Sequence, residues 1–182
     1  MRTKLMVLVA AGIAIMLGCV ETTSVEAPEE VDPNESFTVV INTLATDSSW
    51  NGPKTGLLAI LIPEIWSVDS LYGEGYGYTG SMEFYAFVSG PEAYLPAASS
   101  GYHWAIWDTP IALSVDSGET GYVNVNITST DSLGVFQLAF CCGYVGPYTP
   151  GWEDSPCSCL VAVTPLNLEH TTWGTIKSEM GE

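Results

Sequence analysis

Cysteine and histidine are the residues of this chain best suited to chemistry. Four of its five cysteines crowd into LAFCCGYVGPYTPGWEDSPCSCL, residues 138–160. Cys141 adjoins Cys142, and a single serine separates Cys157 from Cys159. Paired thiols can hold a soft metal, exchange electrons or form disulfides. Common zinc sites use pairs with two to four residues between the ligands, and these pairs are tighter. Copper(I) tolerates such thiol clusters better. A redox site would want C-x-x-C and a nearby cation to hold a thiolate, and neither is present. The third use is a disulfide staple, which depends on the compartment. His103 and His170 have no evident nucleophile or metal partner in the sequence. There is no G-x-S-x-G, H-E-x-x-H or phosphate loop. No spacing among the 21 acidic residues singles out a glycosidase pair. The chain reads as a non-enzyme, with no cofactor and no resident metal.

The compartment is legible at the start, MRTKLMVLVAAGIAIMLGC. Arg2 and Lys4 precede an uncharged run from Leu5 to Gly18. That run is shorter than the roughly 20 apolar residues of a spanning helix, and it describes an export signal. Met16-Leu17-Gly18-Cys19 resembles the bacterial lipobox. The resemblance implies a lipoprotein signal over 1–18 and acylation at Cys19. It implies an exported protein anchored to the bacterial cell envelope, at the outer membrane or cell surface. Several acyl chains make such an anchor firm, since each buried CH₂ contributes about 0.8 kcal/mol.

Removing the signal removes two of the four basic residues and none of the 21 acidic ones, which takes the net charge from −17 to −19. Such a chain repels nucleic acid and anionic lipid surfaces. The acids are scattered, without Ca²⁺-loop spacing, and read as a solvated surface.

Residues 19–30 read as the acylated cysteine and an acidic tether. Residues 31–165 are long enough for one domain with a core. Phe37, Val39 and Ile41 alternate with Thr38 and Asn42, Val123, Val125 and Ile127 alternate with Tyr122, Asn124 and Asn126, and Phe136, Leu138 and Phe140 recur at every second position. Each set predicts a strand with one buried face. GLLAILIPE (56–64) is continuously apolar and predicts a central strand buried on both faces. YGEGYGYTG (73–80 with Tyr72) reads as a Gly/Tyr loop. About nine strands follow one another with no amphipathic helix, and residues 166–182 form a tail. The pattern predicts an all-β, two-sheet antiparallel sandwich.

Two further stretches carry a resemblance. Pro33-x-Glu35-Ser36-Phe37-Thr38-Val39, followed by Ile62-Pro63-Glu64-x-Trp66-Ser67-Val68, is similar to immunoglobulin-like modules of bacterial surface proteins. Asn34 and Ile65 stand where such modules carry Gly. Cohesin-like sandwiches begin similarly. Thr172-Trp173-Gly174-x-Ile176-Lys177 resembles a short signature on some bacterial secreted proteins. The resemblance implies a binding or structural module.

In an oxidising envelope the four clustered cysteines predict two bridges between the pairs. Alternation puts Cys142 inward and Cys141 outward, with Cys157 and Cys159 sharing a face. Two bridges therefore require a bulge or an early end to pairing. Trp66 and Trp104 are expected in the core. Tyr72, Tyr76, Tyr78, Tyr144, Tyr148 and Trp152 lie in Gly-rich or cysteine-flanked loops and form the expected binding surface. The reading is a lipid-anchored interaction module that presents stapled, aromatic loops to a protein or envelope partner. A carbohydrate-binding lipoprotein is the alternative, and copper or zinc handling through the four thiols is the third.

Overall fold

The computed structural model describes residues 20–46, 54–88, 95–145, 150–152 and 156–165. They form twelve strands, more than the nine expected. These are β1 (Val20–Glu26), β2 (Glu30–Val31), β3 (Ser36–Ala45), β4 (Lys54–Pro63), β5 (Ser67–Gly75), β6 (Tyr78–Ser81), β7 (Glu83–Val88), β8 (Tyr102–Leu113), β9 (Thr120–Thr128), β10 (Gly134–Val145), β11 (Pro150–Trp152) and β12 (Cys157–Val163). Most of the surplus is short pieces, such as β2, β6 and β11.

The strands divide into two facing sheets. One has the order β1-β3-β9-β5-β6, and the other runs β2-β12-β10-β4-β8-β7, with β11 beside the far end of β10. All pairings are antiparallel except β2 with β12. The predicted two-sheet sandwich is therefore the fold.

Period-two alternation sets the register. Phe37, Val39 and Ile41 on β3 lie opposite Ile127, Val125 and Val123 on β9. A shift of one residue would turn all of them to solvent. Leu58, Ile60 and Ile62 of β4 meet them from the other sheet, with Leu138, Phe140 and Val161. Trp66 closes this core at one end, 5.8 Å from Phe37 and 4.9 Å from Phe136 between ring centroids.

β4 is apolar on both faces for a specific reason. Its other face carries Leu57 and Ala59 into a second cluster with Leu95, Trp104, Ile106, Ala139 and Cys141. Trp104 anchors that cover by donating its indole N–H to the Pro96 carbonyl at 2.8 Å. A polar tip bonded at the edge lets a large ring lie buried.

Two sequence expectations fail here. Residues 20–26 were expected to be tether and instead form β1, paired with β3 from Val20↔Ala45 to Glu26↔Val40. This edge strand is half exposed and rich in Thr and Glu, so it has no apolar period to read. The Gly/Tyr stretch is a hairpin rather than a loop. Tyr76 and Gly77 take φ of 58° and 72° between the paired Gly75 and Tyr78. Two central residues at positive φ match the twist of a tight hairpin. A bulky residue rarely adopts that conformation. Tyr76 is held there by Thr43, whose hydroxyl lies 2.8 Å from the phenol oxygen, and by Glu119, whose Oε1 accepts the Tyr76 backbone N–H at 2.8 Å.

Candidate interaction surfaces

The cysteines fall where alternation put them, but the ladder does not support two bridges. β10 pairs with β12 up to Phe140↔Cys157, with Leu138↔Cys159, and the register does not slip. Beyond that point Cys141 and Cys142 run along β4, opposite Ala59 and Leu58. Cys142 faces the main core, while Cys141 is buried in the second cluster on the opposite face. The register gives the expected pair of bridges no support. Cys157 and Cys159 share the face of Phe140 and Leu138, and Cys141 points away from both. The structure shows no disulfide among the four.

Thr22 of β1 links two of these thiols. Its hydroxyl donates to Cys142 Sγ at 3.3 Å, and Cys157 Sγ donates to its carbonyl at 3.6 Å. Burial pushes the Cys159 thiol pKa above its ordinary value, which works against a thiolate. Among the described residues no group of three or more His, Cys, Asp or Glu side chains is placed to hold a metal.

The six expected contact aromatics separate. Tyr76 and Tyr78 are buried, at 6% and 9% exposure, and Tyr78 donates to the Ser81 carbonyl. They are correctly placed in a Gly-rich turn but point inward, so they are removed from the binding surface. Tyr144 and Trp152 occupy the β10–β11 hairpin, with Gly143↔Trp152 and Tyr144↔Gly151 as pairs. Adjacent pairs point to opposite faces. Trp152 therefore packs on the second cluster, and Tyr144 lies under the Lys54 ammonium, 4.2 Å from its ring centre. They cannot form one platform. The glycines permit this packing, since a Cβ at Gly143 would fall 2.5 Å from the Trp152 ring and one at Gly151 2.6 Å from Tyr144. Tyr148 lies outside the described residues, as do Cys19 and His170. Tyr72 alone keeps substantial exposure, at 40%.

Tyr72 belongs to a surface that motif reading missed, the outer face of the five-stranded sheet. Tyr72 pairs with Asn124 and Glu74 with Tyr122, which makes the two tyrosines diagonal neighbours. Hydrogen bonds fix the polar rows around them. Tyr122 donates to Glu74 at 2.6 Å. Thr38 donates to Asn126 at 2.8 Å, and Asn126 donates to Ser70 at 2.8 Å. Thr128 donates to Asp69 at 2.6 Å. The bond to Glu74 is the main cause of a raised Tyr122 pKa, because it favours the neutral phenol. The result is a flat face of two rings, amides, hydroxyls and carboxylates whose side chains are already ordered. The legible signal was the polar side of YVNVNIT.

A second surface lies at the free edge of the other sheet. Among the described residues β7 has no strand beyond it, and it pairs with β8 through Phe84↔Trp107 and Phe87↔Ala105, with a register shift at Tyr85. Phe84 and Phe87 turn toward the gap between the sheets yet remain 45% and 66% exposed. With His103, Trp107, Trp66 and Val68 they line a groove of about 380 Å³. Phe84 sits 4.4 Å from Phe87 and 5.6 Å from Trp107, and Phe87 lies edge-on to His103 at 4.9 Å. His103 is thus a lining residue, packed among aromatics.

Neither a scan against protein-family models nor a search of curated proteins found a match. Among solved structures the chain is similar to a cohesin module from a Clostridium perfringens family 33 glycoside hydrolase. Identity there is 10% and the TM-score 0.47, over 81% of this chain and 98% of that one. It is similar to AvmM, which catalyses macrocyclization in alchivemycin A biosynthesis, at 10% identity and TM-score 0.48, over 82% and 92%. A collagen-binding domain from a Staphylococcus aureus adhesin matches at 7% identity and TM-score 0.37, over 82% and 99%. Similarity at this level goes no further than the general arrangement of strands.

Proposed function

We propose that this protein is an exported, lipid-anchored and non-catalytic interaction module of a bacterial cell envelope, with an immunoglobulin-like sandwich. Acylation at Cys19 would hold it to the membrane, and β1 would start at the anchor itself, with no tether between. The observation that carries the binding reading is the ordered outer face of the five-stranded sheet, with Tyr72 and Tyr122 standing among fixed amides and carboxylates. Side chains already held by neighbours lose little freedom on binding, and tyrosine offers a large contact area at low entropic cost. The partner is a protein of the envelope. The same two rings beside Asn124 and Asn126 favour a polysaccharide as the second reading, because sugars stack on rings and bond to amides.

One test separates these readings. Purified full chain is applied to isolated envelope fragments that are intact, protease-treated or stripped of polysaccharide. Retention lost on protease treatment, and lost again in Tyr72→Ala with Tyr122→Ala, supports the protein partner. Retention lost only on polysaccharide removal selects the second reading. Equal retention of the double variant on all fragments rejects this face.

For the cysteines we propose one bridge rather than two, between Cys142 and Cys157, which share the inward face and meet at Thr22. They are diagonal across the ladder, so closure requires the start of β12 to move toward β10. Exchange with a disulfide oxidant would take up the two electrons and two protons that the thiols lose. Peptide mapping of the exported protein tests it. A bridge that includes Cys141 would contradict the register.

A further inference from the structure

We propose that a notch beside Gly75 and Gly121, on the outer face of the five-stranded sheet, takes a cationic side chain, Lys or Arg, of the envelope protein that this face binds. This rests on the protein-partner reading of that face and gives the partner a chemical signature.

Two glycines meet here. Glu74 pairs with Tyr122, so Gly75 and Gly121, the adjoining residues of β5 and β9, are neighbours. A Cβ on Gly75 would fall 2.6 Å from the Gly121 Cα, and one on Gly121 2.8 Å from the Glu74 carbonyl oxygen. Gly75 also takes φ of 128°. Glycine permits both the conformation and the close approach of the two backbones. These positions contribute bare backbone to a notch of about 380 Å³. Asn42, Tyr122 and Glu74, one row across β3, β9 and β5, line it. Thr23, at the register shift of β1, and Thr120 also line it.

The lining side chains have spent most of their donors. Asn42 uses its amide N–H groups on Ser24 at 3.0 Å and Glu26 at 3.1 Å. The Thr23 hydroxyl donates to the Asn42 carbonyl at 3.1 Å. Tyr122 gives its one proton to Glu74 at 2.6 Å, and the Thr43 hydroxyl is paired with Tyr76 at 2.8 Å. Among the described residues the Thr120 hydroxyl makes no such bond. What remains on offer is acceptor capacity, on the Glu74 carboxylate, the Asn42 amide oxygen and the oxygens of Thr23 and Tyr122. Such a lining suits a ligand that only donates. Ammonium and guanidinium groups donate and have no acceptor. A sugar hydroxyl donates and accepts, and among these side chains Thr120 alone has a proton to give it.

Charge agrees. Glu74 stands in the notch and Glu26 stands behind Asn42. The sole Lys or Arg among the described residues, Lys54, belongs to the other sheet. Its ammonium lies 4.2 Å from the Tyr144 ring centre, and the Tyr122 ring offers a second cation the same kind of contact. The bond from Tyr122 already holds the Glu74 carboxylate in place, so little order is lost when a cation arrives.

The test follows the backbone amide resonances of the ¹⁵N-labelled full chain as N-acetyl-arginine methylamide is added. The citrulline compound, similar in shape and uncharged, is the control. Shifts centred on Gly75, Gly121 and Tyr122 are expected with arginine and not with citrulline. Glu74→Gln is expected to weaken arginine binding about fivefold, the upper end for an exposed ion pair. Asp69→Asn removes the same charge elsewhere on this face and is expected to leave binding unchanged. Both substitutions keep an oxygen to accept the Tyr122 or Thr128 hydroxyl, so the face itself survives. Equal weakening by the two would show diffuse attraction and overturn the proposal. So would shifts at Gly75 and Gly121 with polysaccharide released from the envelope and none with arginine.

Envelope fragments separate failure of the contact from failure of the face. Retention lost in Tyr72→Ala with Tyr122→Ala, and lowered both by Glu74→Gln and by raising salt from about 0.1 to 1 M, supports both. Retention lost in the double variant but indifferent to Glu74→Gln keeps the face and overturns the cationic contact. Retention indifferent to every substitution overturns both.

Discussion

The two lateral edges of this sandwich solve one problem differently. At the β12 side, β1 leaves the plane of a simple edge and leans over the opposite sheet, touching both β10 and β12. Its Thr22 ties it to Cys142 and Cys157, and Val25 and Ala27 pack on the core. At the β7 side the described residues supply no such strand, and two phenylalanines with inward orientation remain 45% and 66% exposed. Orientation and burial are separate properties. Alternation along a strand sets the first, and only a neighbour across the gap supplies the second.

The largest contrast should appear in side-chain truncation. Phe140→Ala lies wholly inside, at 0% exposure, and should cost about 3–5 kcal/mol in urea unfolding. Phe87→Ala at the open edge should cost under about 1 kcal/mol in the same measurement. A cost at Phe87 close to that at Phe140 would mean that the edge is closed.

Next in size is an alkaline effect at the closed upper end, where Tyr76 packs with Ala45 and Val115. Burial pushes the Tyr76 phenol from 10.0 up to about 12. The folded state therefore holds the phenolic proton more tightly than the unfolded chain. The stability this gives is complete below pH 10 and is lost as pH rises through 12. Unfolding free energy should fall by about 2 kcal/mol more over that window in the unsubstituted chain than in Tyr76→Phe. Parallel pH curves for the two would refute the assignment.

A smaller effect is expected at the tied edge. Thr22→Val keeps the shape and removes the hydroxyl donor, which should cost about 0.5–1 kcal/mol. Exchange of the β1 amides should quicken while those of β9 do not. If β1 is unaffected, packing of Val25 and Ala27 rather than Thr22 holds this edge.

Much of the architecture was legible before any coordinates. Phe37-Val39-Ile41, Val125-Ile127 and Leu138-Phe140 declared their strands, because a period of two leaves one meaning for a half-buried segment. The unbroken GLLAILIP declared a strand covered on both sides. Trp66 and Trp104 lie in the core, as expected. The candidate surfaces were far less legible. Tyr76 and Tyr78 looked exposed because glycine-rich stretches are seldom buried, yet a tight hairpin turned both inward. Tyr144 and Trp152 were both expected on the binding surface, yet pairing put them on opposite faces. The exposure of Phe84 and Phe87 had no signal at all, because nothing in MEFYAFV says that it ends its sheet among the described residues.

The sequence by itself determined the strands, their inward faces and the opposed directions of Cys141 and Cys142, since these follow from chain geometry two residues at a time. Only the tertiary structure decided which strands are edges, which thiols share Thr22 and which aromatics reach solvent. Those depend on strand order, and strand order is fixed by pairings between residues as distant as Glu30 and Ala162, which no local pattern encodes.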